Sequence, residues 1–308
     1  MRLLHNTLLL LVNSFLLLIM STQAHALEIA LSFDDAPRGD STLLSGDERT
    51  KKLIDNLKEA EVSDALFYVT TRNLKDHTTQ RIQDYIDAGF HLANHSDKHY
   101  SADKVDIETY TQDISIAHEK LASFDNVLPL YRYPYLREGN DRETRDAIRG
   151  HLKSLSYQNG YVTVDNYDWY MDKLLQDALS AGKEVDYDAL RDAYITILWE
   201  SILFYDNIGQ EVLGRSPKHV LLLHENDLAA LYIGDLVRHI ETQGGKIISS
   251  QEAYQDPIAT TVPDVLFNGQ GRVAAIAKEK GWDESKLRDL SSDEEYLDNY
   301  FTTHEIFK

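Results

Sequence analysis

Leu27-Glu28-Ile29-Ala30-Leu31-Ser32-Phe33-Asp34-Asp35 is the stretch from which the architecture reads outward. An apolar run ends on two adjacent carboxylates, the pattern of a strand over residues 27–33 that delivers charge to its C-terminal edge. Downstream, residues 48–60 place Leu53, Ile54 and Leu57 on one helical face. Residues 65–70 read as a second strand, and 79–88 as a helix ended by Gly89 in the C-cap role. A short strand at 90–93 precedes a long helix at 107–124, whose stripe is Ile107, Tyr110, Ile114, Ala117 and Leu121. Residues 130–133 read as extended, held so by Pro134. A helix at 143–149, a strand at 161–164, an apolar strand at 220–224 and a helix at 228–242 follow. Gly244-Gly245 then turns the chain into a last strand at 246–249. About seven strand–helix units predict an α/β fold with a parallel sheet, a barrel of the (β/α)7 type.

Two segments stand outside the repeat. Residues 171–214 read as a helical insertion, with Leu190, Tyr194, Ile197, Leu198 and Ile202 along its longer helix. Residues 251–308 read as a C-terminal appendage, with a helix at 272–280 and an acidic stretch at 291–298. The barrel occupies 27–250. Ahead of it, Arg2, the apolar run from Leu8 to Met20 and Ala24-His25-Ala26 have the layout of a signal peptide over 1–26. The run is shorter than the roughly 20 residues of a membrane span, and the alternative is an uncleaved anchor. The expectation is export to the periplasm or medium, without stable membrane insertion after cleavage.

Composition narrows the chemistry. Among 308 residues there is no cysteine, which excludes thiol nucleophiles, disulfides and thiolate-bound zinc. A formal net charge of −20 disfavours nucleic acid and anionic membrane surfaces as partners and is compatible with neutral or cationic glycans, though acidity alone more often serves solubility.

Five short motifs carry reactive side chains, each with a plainer alternative. Asp34 and Asp35 can divide labour, one ligating a metal while the other faces the space beside it, or they simply form a polar turn. In His95-Ser96-Asp97-Lys98-His99, histidines four apart share a face of a helical turn and can reach one cation; otherwise they are surface or capping residues. His91, His118 and His239 read as the ordinary kind. In Arg132-Tyr133-Pro134-Tyr135 a guanidinium can hold a carboxylate, and a backbone N–H can point into a site; the alternative is packing or sugar stacking. Asp165-Asn166-Tyr167-Asp168-Trp169 reads alone as an acidic loop with a buried indole, and His224 in Leu221-Leu222-Leu223-His224 as a core histidine. All five fall at predicted strand ends on one face, where barrel active sites assemble.

Taken in order over 27–250, these motifs resemble the polysaccharide deacetylases of carbohydrate esterase family 4, the NodB-like deacetylases. The resemblance implies a distorted (β/α) barrel that hydrolyses N-acetyl, sometimes O-acetyl, groups on glycans such as chitin or peptidoglycan. It implies that Asp35, His95 and His99 bind one divalent cation, usually zinc, with cobalt or nickel also suited to this donor set. Asp34 then corresponds to the general base, kept ionised by the cation and Arg132. The Tyr135 N–H helps hold the oxyanion, and His224, supported by Asp168, protonates the leaving amine. Trp169 and Leu222 line the acetyl pocket. Ala36 replaces a usual glycine, Leu136 stands where glycine or tryptophan is common, and the 171–214 insertion is long. That insertion either shapes the groove or clamps the barrel. The rival readings are an O-acetyl esterase on a polysaccharide such as xylan, a small-molecule amidase, and a silent glycan-binding barrel.

Overall fold

The computed structural model describes residues 27–308; the signal-peptide expectation for residues 1–26 lies outside them. Seven strands form one sheet: β1 (Glu28–Ala36), β2 (Leu66–Val69), β3 (His91–Asn94), β4 (Val127–Tyr131), β5 (Gln158–Asn159), β6 (His219–His224) and β7 (Lys246–Ile247). They run in the order β5-β4-β3-β2-β1-β6, with β7 paired to the start of β1, and every pairing is parallel. The helices are α1 (Gly46–Glu59), α2 (Asp76–Asp87), α3 (Ile107–Leu121), α4 (Arg142–Ser154), α5 (Asp168–Ser180), α6 (Tyr187–Leu213), α7 (Asp227–Thr242), α8 (Ser250–Ala253), α9 (Arg272–Glu279) and α10 (Glu294–Thr303). This is the distorted (β/α) barrel that the sequence pattern and the resemblance led us to expect.

Local chemistry explains the helix starts. Ser45 and Glu48 make a reciprocal capping box on α1, while Asp106, Asp141, Asp186 and Asn226 each cap a helix through a side-chain oxygen. The central strand β1 buries Ile29, Leu31 and Phe33 on one face and Ala30 and Ser32 on the other, as a parallel strand covered on both faces must. β1 runs on through Asp34 and Asp35 to Ala36, so the paired carboxylates lie at the end of the strand itself.

One expected strand does not form. At 161–164 only Val164 bridges Leu221 of β6, whereas Gln158–Asn159 pairs with β4. The segment therefore crosses from one sheet edge to the other and closes the barrel irregularly. Gly160 lies so close to Tyr68 that a Cβ there would sit 2.3 Å from the phenol oxygen. The Val162 carbonyl is also taken, by Arg272 N–H of the C-terminal extension at 2.7 Å.

The two extra segments interlock. Val185, in the turn between α5 and α6, makes an antiparallel bridge with Phe307, and Glu184 and Lys308 exchange backbone hydrogen bonds of 2.9–3.0 Å. Tyr170 on α5 donates to Asp298 on α10 at 3.0 Å. Among the described residues, no helix is long and apolar enough to cross a membrane.

Candidate active site

The C-terminal edge of the sheet gathers the reactive side chains. At the end of β1, Asp35 sits at φ 68°, a left-handed conformation rare for a residue with a Cβ. The turn separates the two carboxylates. Asp34 is buried and bonded to Arg132, while the Asp35 side chain is 30% exposed. Asp35 Oδ1 lies 3.3 Å from His99 Nε2 and 3.7 Å from His95 Nε2, and the two Nε2 atoms are 3.2 Å apart.

The histidine segment is not the helical turn its spacing suggests. Residues 95–99 form an irregular loop after β3 with Ser96 at φ 68° and His99 at φ 59°. Long-range bonds impose that path. Thr71 N–H donates to Ser96 O, Arg72 N–H to Asp97 O, and the Asp113 carboxylate accepts from the Asp97 and Lys98 N–H groups. The loop brings the two imidazoles together by tertiary contacts rather than by helical periodicity.

The donor set suits a divalent cation. Burial pushes both imidazoles down to about 4, so each is neutral at ordinary pH. His95 Nδ1 lies 2.9 Å from the Arg132 carbonyl, which fixes the proton on that nitrogen and leaves Nε2 a lone pair. Burial would raise Asp35, but His99, His224 and His95 outweigh it and hold its carboxyl far below the usual range. Tetrahedral zinc with ligands at 2.0–2.1 Å requires about 3.3–3.4 Å between donors. The three observed separations bracket that distance closely.

Arg132, fully buried, organises the other carboxylate. Its Nη1 donates to Asp34 Oδ1 at 2.8 Å, Nη2 to Ser32 Oγ and Tyr254 OH at 3.2 Å each, and Nε to the Gly160 carbonyl. The guanidinium lies 4.0 Å over the Tyr68 ring. Arg132 favours the ionised form of Asp34, and burial opposes it. Burial outweighs Arg132 and raises Asp34 to about 6.

Across the cleft, His224 Nδ1 meets Asp168 Oδ1 at 2.6 Å, while Asp168 Oδ2 accepts from His224 N–H at 2.8 Å and Asn226 Nδ2 at 2.9 Å. Burial opposes the imidazolium, yet Asp168 overcomes it and His224 is raised to about 9. Asp168 is the first residue of α5, so the expected loop carboxylate is held by a helix N-terminus.

The cleft, about 770 Å3, is lined by Asp34, Asp35, His95, His99, Tyr135, Trp169, Leu222 and His224. Arg132 and Asp168 lie behind it, fully buried. His91, His118 and His239 lie elsewhere, against Asp64, Tyr157 and Trp199. Tyr135 and Leu136 take φ 58° and 52°, so the position where the family favours glycine does adopt a left-handed backbone.

Three features escaped the sequence. Asp165, read only as part of an acidic loop, lines the cleft, and burial raises it to about 7 against the pull of Arg288. Behind β6, Glu225 accepts from Arg81 at 2.6 Å and Tyr85 at 2.9 Å, and Asp227 pairs with Arg49 at 2.7 Å. This buried network ties the loop after β1 to α1, α2 and α7. Finally, the C-terminal extension enters the site. Gly269 N–H donates to Leu136 O, and Gly271 packs where a Cβ would meet Val162 O at 3.0 Å. Asn268, Gly269, Arg288 and Ser292 thereby join the cleft lining, whereas no residue of 171–214 does. Instead α6 supports the site from behind, Ser201 donating to the Asp165 carbonyl at 3.0 Å.

Comparison with known proteins agrees with this architecture. Residues 22–159 match the family model described as polysaccharide deacetylase. Among solved structures, a mutant of a carbohydrate esterase family 4 pseudoenzyme with restored enzymatic activity shares 17% identity at TM-score 0.50, over 74% of this chain and 68% of that one. Another mutant of that pseudoenzyme, whose wild type comes from Bacillus anthracis, gives 16% identity and TM-score 0.51, over 74% and 67%. A family 4 carbohydrate esterase from Streptomyces lividans, in complex with acetate, gives 19% and 0.48, over 73% and 92%. No curated protein sequence matches. The family model thus matches residues 22–159 as a polysaccharide deacetylase domain, and the fold of the chain is like that of the family 4 carbohydrate esterase relatives.

Proposed function

We propose that this chain is an exported, metal-dependent deacetylase that hydrolyses N-acetyl groups on a polysaccharide of the chitin or peptidoglycan type. One observation carries the reading. Three neutral or anionic donors, Asp35, His95 and His99, converge within 4.8 Å of one another, with Asp34 on one side and the His224–Asp168 pair on the other.

Asp35, His95 and His99 hold one divalent cation, with zinc the first choice and cobalt or nickel alternatives. When bound, the cation supplies Lewis-acid polarisation of the acetyl carbonyl and acidifies water beside it. Asp34 takes a proton from the attacking water; its position 3.6 Å from His95 Nε2 puts it beside the donor cluster, and Arg132 fixes its orientation. The Tyr135 N–H, in its left-handed turn, donates to the developing oxyanion. His224 enters as an imidazolium through its pairing with Asp168 and gives its proton to the departing nitrogen as the C–N bond breaks, releasing acetate and a free amine. Trp169 and Leu222 enclose the acetyl methyl. The investment in a protonated His224 favours an amide over an ester, because an alkoxide leaves with less help from an acid than an amine does.

The test is acetate release from chitooligosaccharides, peptidoglycan and acetylated xylan by purified protein. Turnover should vanish on prolonged chelation and return with zinc or cobalt. Full activity in the chelated protein would remove the metal from the reaction. Release from xylan alone would make it an O-acetyl esterase.

A further inference from the structure

Arginine is the outlier in this molecule's electrostatics. Acidic residues outnumber basic ones 51 to 31, and most arginines are engaged by a carboxylate. Among the described residues, the arginines outside any ion pair are Arg38, Arg72, Arg272 and Arg288. Arg272 is buried under the C-terminal extension, donating to the carbonyls of Ile258, Ala259 and Thr261. The other three all line the active cleft. In a chain with so many carboxylates to spare, three unpaired guanidiniums would not gather at one cleft by accident of composition.

Their placement is equally specific. Arg38 follows β1 and Arg72 follows β2, on one side of the barrel mouth. Arg288 comes from the C-terminal extension and donates to Gly269 O at 3.2 Å, which docks it beside the loop after β4 on the other side. Arg38 Nη1 is buried without a hydrogen-bond partner. Arg72 spends one nitrogen on Lys98 O, and Arg288 binds only backbone carbonyls, so both keep donors free. Asp34 is taken by Arg132, and although Arg38 pulls on Asp35 and Arg288 on Asp165, neither carboxylate forms an ion pair with them.

We infer that the cleft is built for an acetylated glycan that itself carries negative charge, with Arg38 and Arg72 on one side and Arg288 on the other gripping anionic oxygens of sugars flanking the reacting acetyl group. The inference rests on the deacetylase reading and specifies its substrate class. It also qualifies the impression left by net charge, because three guanidiniums at the mouth can draw an anion inward. Planar guanidiniums suit carboxylate and sulfate alike. The C-terminal extension acquires a role here as the specificity element of one wall.

The experiment uses the zinc-loaded full chain and three acetylated oligosaccharides of matched length: neutral chitooligosaccharide, one alternating with uronic acid, and one carrying sulfate esters. Acetate release is followed from 20 to 300 mM NaCl, which shortens the screening length from about 20 to about 6 Å. An anionic substrate should have kcat/KM at least about ten-fold above the neutral one at low salt, a bidentate pair's worth, and lose that advantage as salt rises. The uronate and sulfate arms identify which anion is read. Arg38→Gln and Arg288→Gln should each cut the anionic-to-neutral ratio about five- to ten-fold, Arg288→Lys should restore most of the salt dependence, and Arg238→Gln on α7 should change nothing. In parallel, binding of an unacetylated uronate oligosaccharide to Asp34→Asn is measured by calorimetry, which needs no turnover. Salt-sensitive binding there without acetate release from any substrate would overturn the deacetylase reading and leave the anion site standing. Equal, salt-independent turnover of neutral and anionic substrates, with no uronate binding, would overturn the anion site and leave the deacetylase intact.

Discussion

Replacing Asp168 by Asn isolates what the buried carboxylate does for His224. In the folded protein His224 is raised to about 9 from an ordinary 6.5, a preference for the imidazolium of about 3 kcal/mol. Burial alone would lower it, and Asp168 is the largest effect opposing burial. The amide keeps the shape and can still accept from His224 N–H and Asn226 Nδ2. It no longer balances a positive imidazole, so His224 falls to 6.5 or below. The sign follows directly: the acid form is needed, so activity persists below the folded value and is lost as pH rises through it. A cation at Asp35 weakens that carboxylate's support of His224 and moves the wild-type limb somewhat below 9, without changing the direction. Wild type should hold its acetate-release rate into the alkaline range. Asp168→Asn should lose it above about pH 7, with kcat at pH 8 down about 10²–10³-fold, the usual worth of a positioned acid. The pairing also contributes stability that is fully present below 6.5 and lost through about 9, so the difference in melting temperature between the two proteins should shrink above pH 9. The assay is kcat against pH from 5 to 10, with metal content and melting temperature measured on the same samples. An unchanged alkaline limb and a normal kcat in Asp168→Asn would refute the acid role of His224.

Other substitutions separate the remaining roles. Asp34→Asn should keep its metal, by elemental analysis, while kcat drops about 10³-fold; His95→Ala should lose both, and equal metal loss in the two variants would mean the aspartates' roles are exchanged. Arg132→Met leaves Asp34 buried and unpaired, so the acid limb of the rate profile should move above the value near 6 and denaturant unfolding should show a loss of about 3–5 kcal/mol. An acid limb that stayed in place would show that Asp34 does not depend on the guanidinium. Glu225→Ala touches no substrate, but it strands buried Arg81; a comparable loss of stability is expected, measured by urea titration, and a melting curve identical to wild type would contradict the network.

Local signals in the chain run out at identifiable elements. Alternating strands and helices are legible because period and capping are local, and four of the five motifs lie at or just after a strand, while Asp165–Trp169 follows a segment bridged only at Val164. Helical spacing is not what brings the histidine pair together. Its loop geometry comes from Thr71, Arg72 and Asp113, contacts far along the chain. The strand at 161–164 looked apolar enough, but its edges are claimed by Tyr68 and by the extension.

By itself, the sequence determined the barrel class, the freedom from thiol chemistry and the residue types available for metal and proton work, since composition, periodicity and spacing are properties of the chain. Only the tertiary structure decided which charges survive unpaired, how deeply Asp34 and His224 are buried, and that residues near the C-terminus wall the cleft. Ion pairing and desolvation depend on neighbours separated by many tens of residues, and no local pattern records them.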